Sequence, residues 1–324
     1  MNKAPPLFAL LLASALGGCG PTQGPIVYAE APDPLAKGGT HPLTLDITVP
    51  DPEVHGEGPF PAVFFIHGGG WRYGNLYSGF GEGVLEDGPE RGYVAVSINY
   101  RLTLAEDEAG DPRFPWPAQI EDTRCALRWL TSHADEYGVD TERIGLAGYS
   151  GGGHLVLLMS EGSDQERWDA DFCPNLGPIE FAAAFGRSAP TDTVRLWETT
   201  VDLGREWSGY ALGVSEEASV EDIRDELEEV SPLAYVDPTD TTPLYLHQGL
   251  DDELVVPSTT ARFMEATEVA GQPVTLVEFE GEGHSWGGDP LEHSVEEMYR
   301  FFDRELRGED AALSCSPWPS CEGR

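Results

Sequence analysis

Arg143-Ile144-Gly145-Leu146-Ala147-Gly148-Tyr149-Ser150-Gly151-Gly152 is the stretch on which the fold turns. Residues 143–147 read as a short buried strand, and His154-Leu155-Val156-Leu157-Leu158-Met159 beyond them is a helix-length apolar run. Strand, Gly-x-Ser-x-Gly and helix together make the context of a nucleophile elbow. Glycines on both sides of Ser150 allow a turn too tight for a Cβ, and that turn lifts the serine hydroxyl above the sheet. In a chain with 38 glycines the bare pattern says little. Its weight comes from the flanks and from chemical partners placed later in the chain.

A serine hydroxyl is a poor nucleophile unless a base takes its proton. Of eight histidines, His284 in Gly281-Glu282-Gly283-His284-Ser285-Trp286 is best placed, in a loop after the strand-like Val274–Phe279. A carboxylate should orient that imidazole. Asp252, in Gly249-Leu250-Asp251-Asp252-Glu253-Leu254-Val255, fits best, and its neighbour Asp251 is a rival. The order Ser150, Asp252, His284, each after a strand, is one in which such triads occur. A carbonyl oxygen that gains negative charge needs donors as well. His67-Gly68-Gly69-Gly70-Trp71 follows the apolar run Ala62–Ile66. The backbone N–H groups of Gly69 and Gly70, with that of Gly151, are the expected oxyanion donors, while His67 reads as structural and His154 as a core hydrogen-bonding residue.

The remaining chain alternates strand and helix. Leu43–Val49 alternates at period two, as an edge strand does, whereas Ala62–Ile66 and Tyr93–Ile98 are continuous apolar runs suited to a parallel sheet covered on both faces. Ile144–Ala147, Phe181–Phe185, Leu244–His247 and Val274–Phe279 supply further strands; Ala118–Tyr137, Thr259–Ala270 and Pro290–Leu306 supply helices. The expectation is a single α/β domain over 42–307, its mostly parallel sheet doubly wound, with a small helical cap at about 191–230 that carries Trp197, Trp207 and Tyr210. Residues 19–41 read as a flexible tether and 308–324 as a surface tail.

Fifty-seven acidic residues against 19 basic ones give the 324-residue chain a net charge of −38. Nucleic acid and anionic membrane would be repelled by such a surface, and anionic substrates disfavoured. Residues 1–18 have the form of an export signal: Lys3, a short apolar run from Leu7 to Leu16, then Leu16-Gly17-Gly18-Cys19. That ending resembles a bacterial lipobox, which implies acylation of Cys19, a location at the cell envelope, and membrane contact only through the lipid. Without acylation, the protein would be periplasmic or secreted. Four cysteines remain, and an even count in an exported chain favours disulfides. Cys315 and Cys321 can close a local loop, leaving Cys125 and Cys173 to pair or to stay as buried thiols. No cysteine or histidine spacing suggests zinc.

On these motifs the chain resembles the α/β-hydrolase superfamily, and within it the bacterial acetylxylan and feruloyl esterases and related carboxylesterases with a His-Gly-Gly-Gly oxyanion motif. The similar stretches are Phe64–Trp71, Ile98-Asn99-Tyr100-Arg101-Leu102, Phe114 through His154, and Ser231-Pro232-Leu233-Ala234-Tyr235-Val236. The resemblance spans roughly residues 42–305. It implies nucleophile Ser150, acid Asp252, base His284 and donors Gly69, Gly70 and Gly151. Two departures stand out. Tyr149 and Gly151 flank the serine where many relatives have another residue and alanine, and Gln248 looks inserted in His247-Gln248-Gly249. The leading expectation is hydrolysis of a neutral, short-chain carboxylic ester, small or polysaccharide-linked, through an acyl-serine and without metal or cofactor. An amidase (kynurenine formamidase-like or a serine peptidase) and a non-catalytic binding protein are the alternatives.

Overall fold

The computed structural model describes residues 25–33, 35–103, 113–174, 177–200, 203–311, 313 and 320–323. The signal segment 1–18, Cys19 and Cys315 lie outside these described residues. Nine strands form one sheet: β1 Ile26–Pro32, β2 Thr40–Thr48, β3 Phe60–Ile66, β4 Val94–Ile98, β5 Val139–Tyr149, β6 Ala183–Arg187, β7 Leu244–Gly249, β8 Val274–Phe279 and β9 Ser320–Gly323. Their spatial order is β1-β2-β4-β3-β5-β6-β7-β8-β9. From β4 through β8 every neighbouring pair is parallel, and β2 and β9 run antiparallel to that block. The apolar runs occupy the middle because a strand covered on both faces can carry no polar side: every residue of β4 is buried, as is β3 after Phe60. One core lies on each side of the sheet.

The helices are α1 Pro52–His55, α2 Gly81–Glu90, α3 Ala118–Ser132, α4 Ala134–Tyr137, α5 Gly151–Glu161, α6 Thr193–Thr199, α7 Leu203–Leu212, α8 Arg224–Glu229, α9 Pro257–Ala270 and α10 Gly288–Arg307. All of α5 is buried, which explains its unbroken apolar run. In contrast, α10 buries one stripe, with Met298, Phe301, Phe302 and Leu306 facing the sheet. It packs so closely that a Cβ on Gly145 would lie 2.5 Å from the Phe302 ring. Cys125 of α3 is joined by a disulfide to Cys173, 48 residues on, with Cα atoms 5.7 Å apart. Helices α6–α8 fall within the expected cap and share a small core of Trp197, Ile223 and Leu227.

Three expectations are corrected. Residues 19–41 are not all tether, because β1 and the start of β2 lie within them. Prolines and glycines mask the alternation that buries Tyr28, Ala29 and Ala31, and an edge strand tolerates proline at its ends. The folded domain therefore begins by Ile26, not at 42. The helix expected over 118–137 breaks at His133, whose Nδ1 meets the Trp129 carbonyl at 2.8 Å and caps the first segment. The tail at 308–324 is not all outside the sheet: residues 320–323 pair with β8 as an edge strand.

Candidate active site

Where the strand order reverses, β3 lies between β4 and β5, so the loops leaving β3 and β5 adjoin. Such a reversal opens a crevice at the carboxyl ends of the strands. The β3 loop carries His67–Trp71, and Ser150 heads the turn from β5 into α5. Ser150 adopts φ 53° and ψ −122°, a region that costs a non-glycine residue about 1–3 kcal/mol. Hydrogen bonds hold it there: its N–H donates to the Arg187 carbonyl at 2.9 Å, and its carbonyl accepts the His154 N–H at 2.9 Å.

The turn also requires its glycines. A Cβ on Gly152 would sit 2.0 Å from the Ile66 carbonyl oxygen and 2.4 Å from that of His67, and one on Gly148 would sit 2.5 Å from the Gly152 backbone. Neither contact can relax by moving a side chain. Gly152→Ala should therefore cost about 3 kcal/mol, at the upper end for overpacking, and should abolish labelling of Ser150 by a fluorophosphonate. A urea midpoint equal to wild type would show that the elbow tolerates a methyl group.

Ser150, His284 and Asp252 come together. Ser150 Oγ lies 2.9 Å from His284 Nε2, and His284 Nδ1 lies 2.8 Å from Asp252 Oδ2. The carboxylate is 3% exposed. Its other oxygen accepts the N–H groups of Leu254 and Val255 at 2.9 and 2.8 Å, which fixes the carboxylate in place. With Nδ1–H donated to Asp252, Nε2 is left to accept the serine proton. The rival Asp251 is exposed, and among the described residues it is engaged only through its backbone N–H, which donates to the Glu282 carbonyl.

Gln248 introduces no bulge. Strands β7 and β8 stay in register through Gln248↔Glu278 and Gly249↔Phe279. The buried Gln248 amide donates to the Gly249 and Val255 carbonyls and accepts from Thr260 Oγ1, which braces the turn that holds Asp252. Tyr149 also gains a role: its hydroxyl donates to the His284 carbonyl at 2.9 Å and anchors the histidine loop to the elbow.

His67 is structural, as expected. It stacks on Tyr100 with ring centroids 4.4 Å apart and bonds the Gly68 carbonyl; burial pushes its pKa down to about 4. His154 bonds the Val230 carbonyl, and burial lowers it likewise to about 4. Both are neutral near pH 7.

In the β3 loop, Gly69 has φ 111° and its carbonyl accepts the N–H groups of Arg72 and Tyr73, closing the turn. Gly70 and Gly151 are brought together, with the Gly70 nitrogen 3.4 Å from where a Gly151 Cβ would lie. The N–H groups of Gly69, Gly70 and Trp71 find no acceptor among the described residues. A serine hydroxyl beside an accepting imidazole, with unpaired N–H groups at its flank, can add to a carbonyl and receive the charge that develops.

Two residues were missed from sequence. Trp71 closes the oxyanion loop at φ 59°, a conformation no propensity foretells for tryptophan. Arg187, at the end of β6, is 3% exposed and lies 4.6, 4.8 and 5.3 Å from the ring centroids of Tyr149, Phe80 and Trp286. Burial lowers its pKa to about 10, which leaves it charged. It links the elbow to the histidine loop through aromatic faces.

A cavity of about 20 Å³ opens beside Ser150, lined by Trp71, Pro190, Leu196, Ser208, Leu254 and Val255. That is room for a group of roughly one or two heavy atoms.

Residues 45–267 match the BD-FAE family. The chain is 28% identical over 240 residues to the probable carboxylic ester hydrolase LipM of Mycobacterium tuberculosis, covering 72% of this chain and 51% of that protein. It is 27% identical over 232 residues to esterase LipC of the same organism, covering 70% and 53%. The chain thus spans about half the length of these curated relatives. In structure it is similar to a truncated carbohydrate esterase from gut microbiota (TM-score 0.68, 21% identity, 90% of this chain and 99% of that one). It is also similar to propionate-bound esterase Est2 of Thermogutta terrifontis (TM-score 0.66, 24% identity, 91% and 97%). These structural likenesses, both under 25% identity, establish the α/β-hydrolase fold.

Proposed function

Because the chain belongs to the BD-FAE family, we propose that it is a serine carboxylesterase that cleaves neutral, short-chain esters through an acyl-enzyme. The observation that carries this is the unbroken relay from Asp252 Oδ2 through His284 to Ser150 Oγ, with contacts of 2.8 and 2.9 Å. In the proposed reaction, Oγ adds to the ester carbonyl as His284 Nε2 takes its proton. The N–H groups of Gly69, Gly70 and Gly151 receive the oxyanion, one such donor being worth about 2.7–4 kcal/mol. His284 then gives the proton to the departing alcohol. A water, deprotonated by the same nitrogen, releases the acid.

The small cavity under the cap supports an acetyl or similar acyl group, and the net charge of −38 supports a preference for uncharged substrates. The alcohol, small or polysaccharide-linked, leaves on the open side. The reading of Leu16-Gly17-Gly18-Cys19 as an acylation site adds an envelope location, with membrane contact through the lipid alone; its support is the sequence.

A panel of p-nitrophenyl esters with two to twelve acyl carbons tests the proposal on the full chain. kcat/KM should be highest for acetate or propionate and fall by at least about tenfold by eight carbons. Fast cleavage of the matching anilide beside negligible ester turnover would make the enzyme an amidase. Inertness toward both, with no fluorophosphonate labelling, would make it a binding protein.

A further inference from the structure

Trp71 carries a second N–H besides that of its backbone. Its indole is 7% exposed, and Nε1 has no hydrogen-bond partner among the described residues. A buried N–H left without an acceptor costs stability, so its position needs a reason. Nε1 lies 3.3 Å from the point a Gly151 Cβ would occupy, the Trp71 backbone nitrogen 3.2 Å from it and the Gly70 nitrogen 3.4 Å. Three N–H nitrogens, none with an acceptor, therefore crowd one flank of the residue that follows the nucleophile. Gly151 opens α5, so its own N–H has no intrahelical partner either. Trp71, Gly70, Gly151 and Ser150 line the same cavity. His154 packs beside the indole, T-shaped at 4.9 Å between centroids, and its Nδ1 is likewise unpartnered; among the described residues no hydrogen bond joins the two.

We propose that the Trp71 indole N–H is a side-chain oxyanion donor, touching the substrate's carbonyl oxygen as it becomes negative. This rests on the esterase reading above and extends its donor set beyond backbone groups. An indole N–H is a fixed dipole in a water-poor setting, so it needs no reorganisation when charge appears. Held by the left-handed backbone at Trp71, it approaches from the side that Gly151 leaves empty.

The test is Trp71→Phe in the full chain, which removes the N–H and keeps an aromatic wall. kcat on p-nitrophenyl acetate should fall by about a hundredfold to a thousandfold, with KM within about threefold. Affinity for a trifluoromethyl ketone, which forms a tetrahedral adduct, should weaken in parallel, while inhibition by a short neutral alcohol, which has no carbonyl oxygen, stays unchanged. The pH–rate profile should keep its shape, because Ser150, His284 and Asp252 are untouched. If the phenylalanine variant does not fold, replacing Trp71 with 3-benzothienylalanine exchanges the N–H for sulfur in the same outline and gives the same readouts.

A kcat within threefold of wild type in the folded variant overturns the proposal. So does an equal loss of affinity for ketone and alcohol, which marks Trp71 as a packing residue. Turnover by the wild type belongs to the esterase reading, and the variant-to-wild-type ratio belongs to this one. Absent wild-type turnover overturns both.

Discussion

Ser150→Ala will lower kcat on p-nitrophenyl acetate by about 10⁶-fold, leaving only the catalysis that donors and binding supply. No other hydroxyl can replace it. Oγ is the group set 2.9 Å from His284 Nε2, at the summit of a turn whose φ of 53° aims it over the sheet. Alanine bears the same backbone strain as serine, and the residue 150 N–H still reaches the Arg187 carbonyl. The thermal midpoint should therefore stay within about 2 °C, a shift worth under 1 kcal/mol. Fluorophosphonate labelling should vanish. Activity above about 1% of wild type in the alanine variant would mean that another group attacks the ester.

Asp252→Asn will reduce kcat by about 10⁴-fold, although it changes one atom. The reason is tautomer control. One carboxylate oxygen is committed to the Leu254 and Val255 N–H groups, so an asparagine must place its carbonyl there and turn its NH₂ toward His284 Nδ1. The imidazole then carries its hydrogen on Nε2 and faces Ser150 as a donor. It can no longer take the serine proton. Flipping the amide would set its NH₂ against two N–H donors. Asp251→Asn, at the exposed neighbour, should leave kcat within about twofold. A pair of variants in which the second loses as much as the first would transfer the acid role to Asp251.

Residues that act through short-range pattern can be read directly from the chain. Ala62–Ile66 shows its burial because a strand covered on both faces has no room for a polar side. The elbow shows itself because a turn that brings backbone within 2.0 Å of a Cβ position must use glycine. Other features give weak or misleading signals. Strand β1 is flanked by Pro25 and Pro32 and sits in a Gly/Pro-rich stretch, so composition suggests a tether while its partners lie across the sheet. The bracing role of Gln248 gives no local signal because its partners Val255 and Thr260 lie 7 and 12 residues on and are brought to it by the fold.

By itself the sequence determined the kind of sheet, the serine turn, and the chain order of Ser150, Asp252 and His284 after their strands, since each depends on local periodicity or on what a glycine permits. Only the tertiary structure shows that Asp252 meets the imidazole at 2.8 Å while its neighbour Asp251 is exposed to solvent. It likewise decided the surroundings of Trp71 and Arg187. A tryptophan at φ 59° beside Gly151, and an arginine enclosed by Tyr149, Phe80 and Trp286, are products of chain crossings more than 30 residues apart. No local pattern encodes such meetings, because the force that enforces them is packing.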